Sequence, residues 1–83
     1  MLACQVALYP LAAENFSEII TNALAEIKKI ERLTIDVGPM STYIVGEDNL
    51  VWEAISLLFA KSKENGEKIV MNLQISNECG CDL

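Results

Sequence analysis

The stretch from Leu33 to Gly46 constrains this chain more than any other, because it sets two strand-forming runs on either side of a turn. Leu33-Thr34-Ile35-Asp36-Val37 alternates apolar and polar residues with the period of two that half-buried strands show, and Ser41-Thr42-Tyr43-Ile44-Val45 is rich in β-branched and aromatic residues. Gly38-Pro39-Met40 between them favours a turn, so a β-hairpin is expected. One helical pattern and one further strand lie on each side of it. The predicted order is therefore βαββαβ.

Taken from the start, Ala3 to Tyr9 reads as a strand with Cys4, Val6 and Leu8 on one face and Gln5, Ala7 and Tyr9 on the other. Pro10 cannot donate to a ladder and is expected to end it. Asn15 with Glu18 three residues later is a variant capping box. Behind it Phe16, Ile19, Ile20, Ala23, Leu24, Ile27 and Ile30 recur at the spacing of an amphipathic helix, with Lys28 and Lys29 near its end. A second helix is expected after an Asp48 or Asn49 cap. Val51, Ala54, Ile55, Leu58 and Phe59 form its buried stripe, Trp52 sits at the margin, and Asn65-Gly66 stops it. Lys68 to Ser76 alternates cleanly, Ile69, Met71, Leu73 and Ile75 on one side, Val70, Asn72, Gln74 and Ser76 on the other; Asn77 to Leu83 reads as a loop-like tail.

A chain of 83 residues is expected to form one domain over residues 1–83. At that size folding buries only about 60–65% of the unfolded surface, and self-association is a natural supplement. Right-handed crossovers put both helices on one face of a four-stranded antiparallel sheet, the ferredoxin-like α+β sandwich. The composition is 52% hydrophobic, yet no apolar run approaches the roughly 20 residues that span a bilayer. A membrane is thus not an expected partner. A formal charge of −6 opposes phosphate backbones and argues against nucleic acid. With no histidine, the commonest general base and metal ligand is missing, and no reaction or cofactor can be assigned. The start of the chain lacks a basic, continuously apolar leader, so a reducing cytoplasm with free thiols is expected. Cys79-Gly80-Cys81 could pinch a soft metal or form a strained disulfide, but a closed zinc site needs about four ligands, and incidental thiols on a tail are the favoured account.

Function is expected on the sheet face turned away from the helices, which carries Gln5, Ala7, Tyr9, Thr34, Asp36, Asn72 and Gln74. Such a mixed face is a solvated surface, a subunit contact or a ligand platform. Three segments here, Leu8-Tyr9-Pro10-Leu11, Ser41-Thr42 followed by Gly46, and Ile69-Val70-Met71-Asn72 running on to Cys79, resemble the YkoF-like thiamine/hydroxymethylpyrimidine-binding proteins in order and spacing. The resemblance implies a non-catalytic protein that holds thiamine or its hydroxymethylpyrimidine moiety. Larger members are similar to two such domains in tandem, which implies that this chain works as a homodimer or homotetramer.

The residue chemistry suits that ligand. An aminopyrimidine presents a ring-nitrogen acceptor and an amine donor, and Asn72 and Gln74 each offer both polarities from one amide. Ser41 and Thr42 add hydroxyls, although as strand neighbours they point to opposite faces. Tyr9 supplies an aromatic wall, and Asp36 suits the fixed positive charge of a thiazolium. Each has a bland rival: a subunit contact, an ordinary strand residue, a sealed strand end, a solvated carboxylate. The alternative function is a structural or regulatory oligomerisation module with no thiamine site.

Overall fold

In the computed structural model, which describes residues 1–11, 16–38, 41–64 and 68–77, the order of elements is β1 (Leu2–Leu11), α1 (Phe16–Ile27), β2 (Thr34–Val37), β3 (Thr42–Gly46), α2 (Asp48–Ser62) and β4 (Lys68–Ser76). The strands form one antiparallel sheet in the order β2-β3-β1-β4. The expected ferredoxin-like sandwich is the fold. Between β2 and β3 the Gly38 N–H donates to the Ser41 carbonyl at 2.8 Å, closing the hairpin.

Register decides which face each side chain takes. Cys4 stands opposite Ile44 on β3 and Ile75 on β4, and Val6 opposite Thr42 and Leu73, so these residues share a face. Both helices cover it: Ala23 and Ile27 of α1 and Val51, Ala54, Ile55 and Leu58 of α2 pack with Leu2, Cys4, Val6 and Ile44 in one core. Burying a Leu, Ile or Val side chain contributes about 1.5–3 kcal/mol each, so this cluster is the main stabilising term. Gln5, Tyr9, Asp36, Asn72 and Gln74 occupy the opposite, uncovered face, in agreement with the alternation of their strands.

Several expectations are corrected. β1 does not stop at Pro10: the strand continues to Leu11, with Pro10 opposite Ile69. The reason is that, among the described residues, β3 pairs with β1 only as far as Val6. Beyond that point a proline nitrogen can face an unpaired side, where no ladder bond is lost. α1 ends at Ile27, which leaves Lys28, Lys29 and Ile30 in the following turn and no basic residue in the last helical turn. There Lys29 forms an ion pair with Glu26 at 3.3 Å. α2 starts one or two residues earlier than an Asp48 or Asn49 cap would give, with Glu47 at the cap position and no side-chain cap bond. Trp52 is exposed rather than marginal. Asn15, Pro39, Met40, Asn65, Gly66, Cys79 and Cys81 lie outside the described residues.

Two core positions have measurable consequences. A Cβ on buried Gly46 would lie 2.6 Å from Leu33 Cδ2, which would have to move, and 3.1 Å from the Arg32 carbonyl, tighter than most side-chain contacts. Gly46→Ala should therefore destabilise the protein by about 1–3 kcal/mol in urea unfolding. Burial pushes the Cys4 thiol above its ordinary value of 9.0. The unfolded chain then loses this proton before the folded chain does, so stability from this thiol is intact below about pH 9 and declines as pH rises further. The stability difference between wild type and Cys4→Val should be flat at neutral pH and move in favour of the valine variant above about pH 9.

Candidate functional site

Unequal strand pairing shapes the uncovered face. Among the described residues β1 is paired with β4 from Ala3 to Leu11 but with β3 only from Leu2 to Val6. A notch is left between the free side of β1 beyond Val6 and the beginning of β3. It opens a cavity of about 140 Å³ bounded by Ala7 and Leu8 of β1, Val37 and Ser41–Thr42 at the hairpin, and Leu24 and Leu58 of the helices. On the uncovered face beside it lies a shallower depression of about 350 Å³, lined by Gln5, Ala7, Tyr9, Asn72 and Gln74.

Ser41 joins the two. Two residues before Tyr43, it takes the uncovered side, and its Oγ accepts a bond from Gln5 Nε2 at 3.3 Å. Gln5 in turn sits opposite Gln74, and Ala7 opposite Asn72. A polar path thus runs from the notch across β1 to the amides of β4. Thr42 takes the other side, under the helices, and is only 8% exposed. Its hydroxyl has no hydrogen-bond partner among the described residues. No described side-chain nitrogen or oxygen is both sealed and unpartnered, so this hydroxyl reaches solvent through the notch that Thr42 lines.

The six residues singled out in the sequence do not form one pocket. Tyr9, Asn72 and Gln74 share the depression, Ser41 borders it through Gln5, and Thr42 lies behind the sheet in the notch. Asp36 stands apart. It lies in the row Asp36–Tyr43–Gln5–Gln74, two strands from β1 and four residues from the level of Tyr9. At about 4.8 Å between strands and 3.3 Å per residue, Asp36 and Tyr9 are roughly 16 Å apart. A single six-membered ring cannot touch both.

Two residues were missed. The sequence pattern puts Gln5 on the correct face without singling it out, and it gives Tyr43 no face. Tyr43 is 37% exposed in that row, between Gln5 and Asp36, and is the aromatic ring nearest the carboxylate in register. Counting two residues on from Ser41 would have found it. Among the described residues no group of three or more Cys, Asp and Glu could hold a metal ion.

A four-stranded antiparallel sheet with two helices on one side and a polar, notched platform on the other defines the class as a ferredoxin-like α+β protein with a small, ring-sized recess. More particularly, the chain belongs to the YKOF-related family, whose model matches residues 1–82. The fold is similar to that of a Streptococcus pneumoniae protein (17% identity, 90% of this chain and 83% of that one, TM-score 0.81). It is also similar to a hypothetical protein of Methanocaldococcus jannascii (19% identity, 92% and 78%, TM-score 0.80). A candidate thiamine biosynthesis/salvage protein of Thermotoga maritima shares 22% identity over 95% of this chain and 85% of that one, with a TM-score of 0.77. No curated protein matches the chain in sequence. No described helix is long and apolar enough to cross a membrane.

An unpartnered hydroxyl adds nothing to folding. Thr42→Val should leave stability unchanged or raise it by up to about 1 kcal/mol in urea unfolding, whereas a hydroxyl bonded inside the fold would cost about that much on removal.

Proposed function

We propose that this protein binds thiamine or its hydroxymethylpyrimidine moiety without transforming it. Family membership and the thiamine assignment of the Thermotoga relative support the ligand class. The observation that carries the reading here is the recess: at about 140 Å³ it is close to the roughly 150 Å³ in which an engineered protein cavity holds benzene. One six-membered ring fits, and a drug-sized molecule does not.

The pyrimidine enters the notch between apolar Leu8, Leu24 and Leu58, where the Thr42 hydroxyl is still without a partner and Ser41 stands at the mouth. Either hydroxyl can donate to a ring nitrogen or accept from the exocyclic amine. The thiazolium of an intact thiamine lies outside, over the amides of Gln5, Asn72 and Gln74 and beside Tyr9. Its fixed positive charge is favoured by the −6 charge of the chain rather than by contact with Asp36. With no histidine in the chain, binding and release, not turnover, are its task, carried out in the cytoplasm as vitamin sequestration or supply.

A second reading, a structural or regulatory oligomer with no such ligand, draws on the apolar Val70, Leu73 and Ile75 exposed along β4. Calorimetry separates the two. Thiamine has about 18 non-hydrogen atoms, and at roughly 0.3–0.45 kcal/mol per atom a dissociation constant between about 1 and 100 µM is expected. Thr42→Val and Asn72→Ala should each weaken binding by about 3- to 10-fold, the loss of one hydrogen bond. Absence of heat with both ligands at millimolar concentration would remove the thiamine reading and leave the second.

A further inference from the structure

Charge is distributed over the uncovered face in a way that the net charge of −6 does not suggest. The chain has 12 Asp and Glu residues, yet among the described residues none lines the notch or the depression beside it. Asp36 and Lys68 are the charged residues of the four strands, and they stand at diagonal corners of the sheet. The other cations are elsewhere. Lys28, Lys29 and Arg32 lie in the turn between α1 and β2, Lys61 pairs with Glu64 at 2.9 Å, and Lys63 stands over the Phe59 ring. Lys68 is exposed and makes no ion pair among the described residues.

Register sets the distance of Lys68 from the ligand. It shares a face with Val70, Asn72 and Gln74 and stands opposite Leu11. Because Tyr9 stands opposite Val70, Lys68 and Asn72 are its two diagonal neighbours across the β1–β4 ladder, about 7–8 Å away and within reach of a long side chain. Ala7, at the mouth of the notch, is four residues from the level of Leu11. At about 3.3 Å per residue and 4.8 Å between strands, the Lys68 backbone is roughly 14 Å from that of Ala7, a gap that its flexible four-carbon stem shortens.

We propose that Lys68 binds an anionic group at the far end of the ligand, so that the site prefers the phosphate monoester of thiamine to thiamine itself. This rests on the ligand reading above. With the pyrimidine in the notch and the thiazolium beside Tyr9, the hydroxyethyl arm leaves the thiazolium on the side away from the pyrimidine, toward Leu11 and Lys68. A phosphoryl group there carries about −1.5 to −2 at neutral pH, and a lysine ammonium meets it as a compact point charge. The monoester also supplies the anion that the recesses do not: with no described carboxylate lining them, its own phosphate balances the thiazolium. Phosphorylation at the other end brings no such gain. In hydroxymethylpyrimidine phosphate the phosphoryl group takes the place of the thiazolium at the mouth of the notch, short of Lys68, and meets the repulsion of the acidic chain.

Calorimetry at low salt with thiamine, hydroxymethylpyrimidine and the phosphate monoester of each tests this. The thiamine monoester should bind the wild type about 2- to 5-fold more tightly than thiamine, the range of an exposed ion pair. That advantage should fade as ionic strength rises. Lys68→Met should abolish it while leaving thiamine and hydroxymethylpyrimidine bound as before, Lys68→Arg should keep it, and hydroxymethylpyrimidine phosphate should bind no more tightly than hydroxymethylpyrimidine. With thiamine still bound, the preference alone is overturned by a monoester no tighter than thiamine, by an advantage that survives Lys68→Met, or by an equal gain for hydroxymethylpyrimidine phosphate. Absence of heat with all four ligands overturns the ligand reading and this preference together.

Discussion

The structure depends on β1 being held on both sides for only part of its length. From Ala3 to Val6 it is clasped between β3 and β4, and around that stretch Leu2, Cys4 and Val6 anchor the core beneath the helices. Among the described residues its last five pair with β4 alone. A strand that outruns one neighbour leaves backbone and side chains facing a gap, and in this fold the gap lies above the helix pair, so it becomes a recess with an apolar floor. The same inequality accounts for Pro10 inside a strand, for the reach of the Thr42 hydroxyl to solvent, and for Ser41 standing near enough to Gln5 to bond it.

How much of this was legible depended on whether a local pattern or a length mismatch was being read. β4 alternates without interruption, and its bounds, Lys68–Ser76, are those that alternation predicts. The α1 stripe is real, yet Ile30 continues the spacing after the helix has ended, because it still packs against the core from the turn and periodicity reads packing rather than hydrogen bonding. The cap of α2 departs from its sequence signal for a related reason: Asp48 and Asn49 are good capping types, but the cap position falls to Glu47 and its side chain makes no cap bond.

Pairing of residues across strands was less legible than their direction. Alternation alone separates Ser41 from Thr42 and sets Asn72 and Gln74 on the uncovered face. It does not say that β3 begins opposite Val6, and without that fact neither the notch nor the position of Thr42 beside it can be found. Tyr43 and Gln5 were overlooked because their importance comes from the row they share with Gln74 and Asp36, a property of register alone. Asp36 looked suitable by charge and proved remote by geometry.

The proposed site places an aminopyrimidine ring in the gap beside the second half of β1. Titrating isotope-labelled protein with hydroxymethylpyrimidine and following backbone amide resonances tests it most directly. Saturable shifts should concentrate on Ala7 to Tyr9 and on Ser41 and Thr42, with smaller ones at Gln5 and Gln74. Shifts confined to α2 or to the β2 border, or a spectrum that does not change at millimolar ligand, would contradict it.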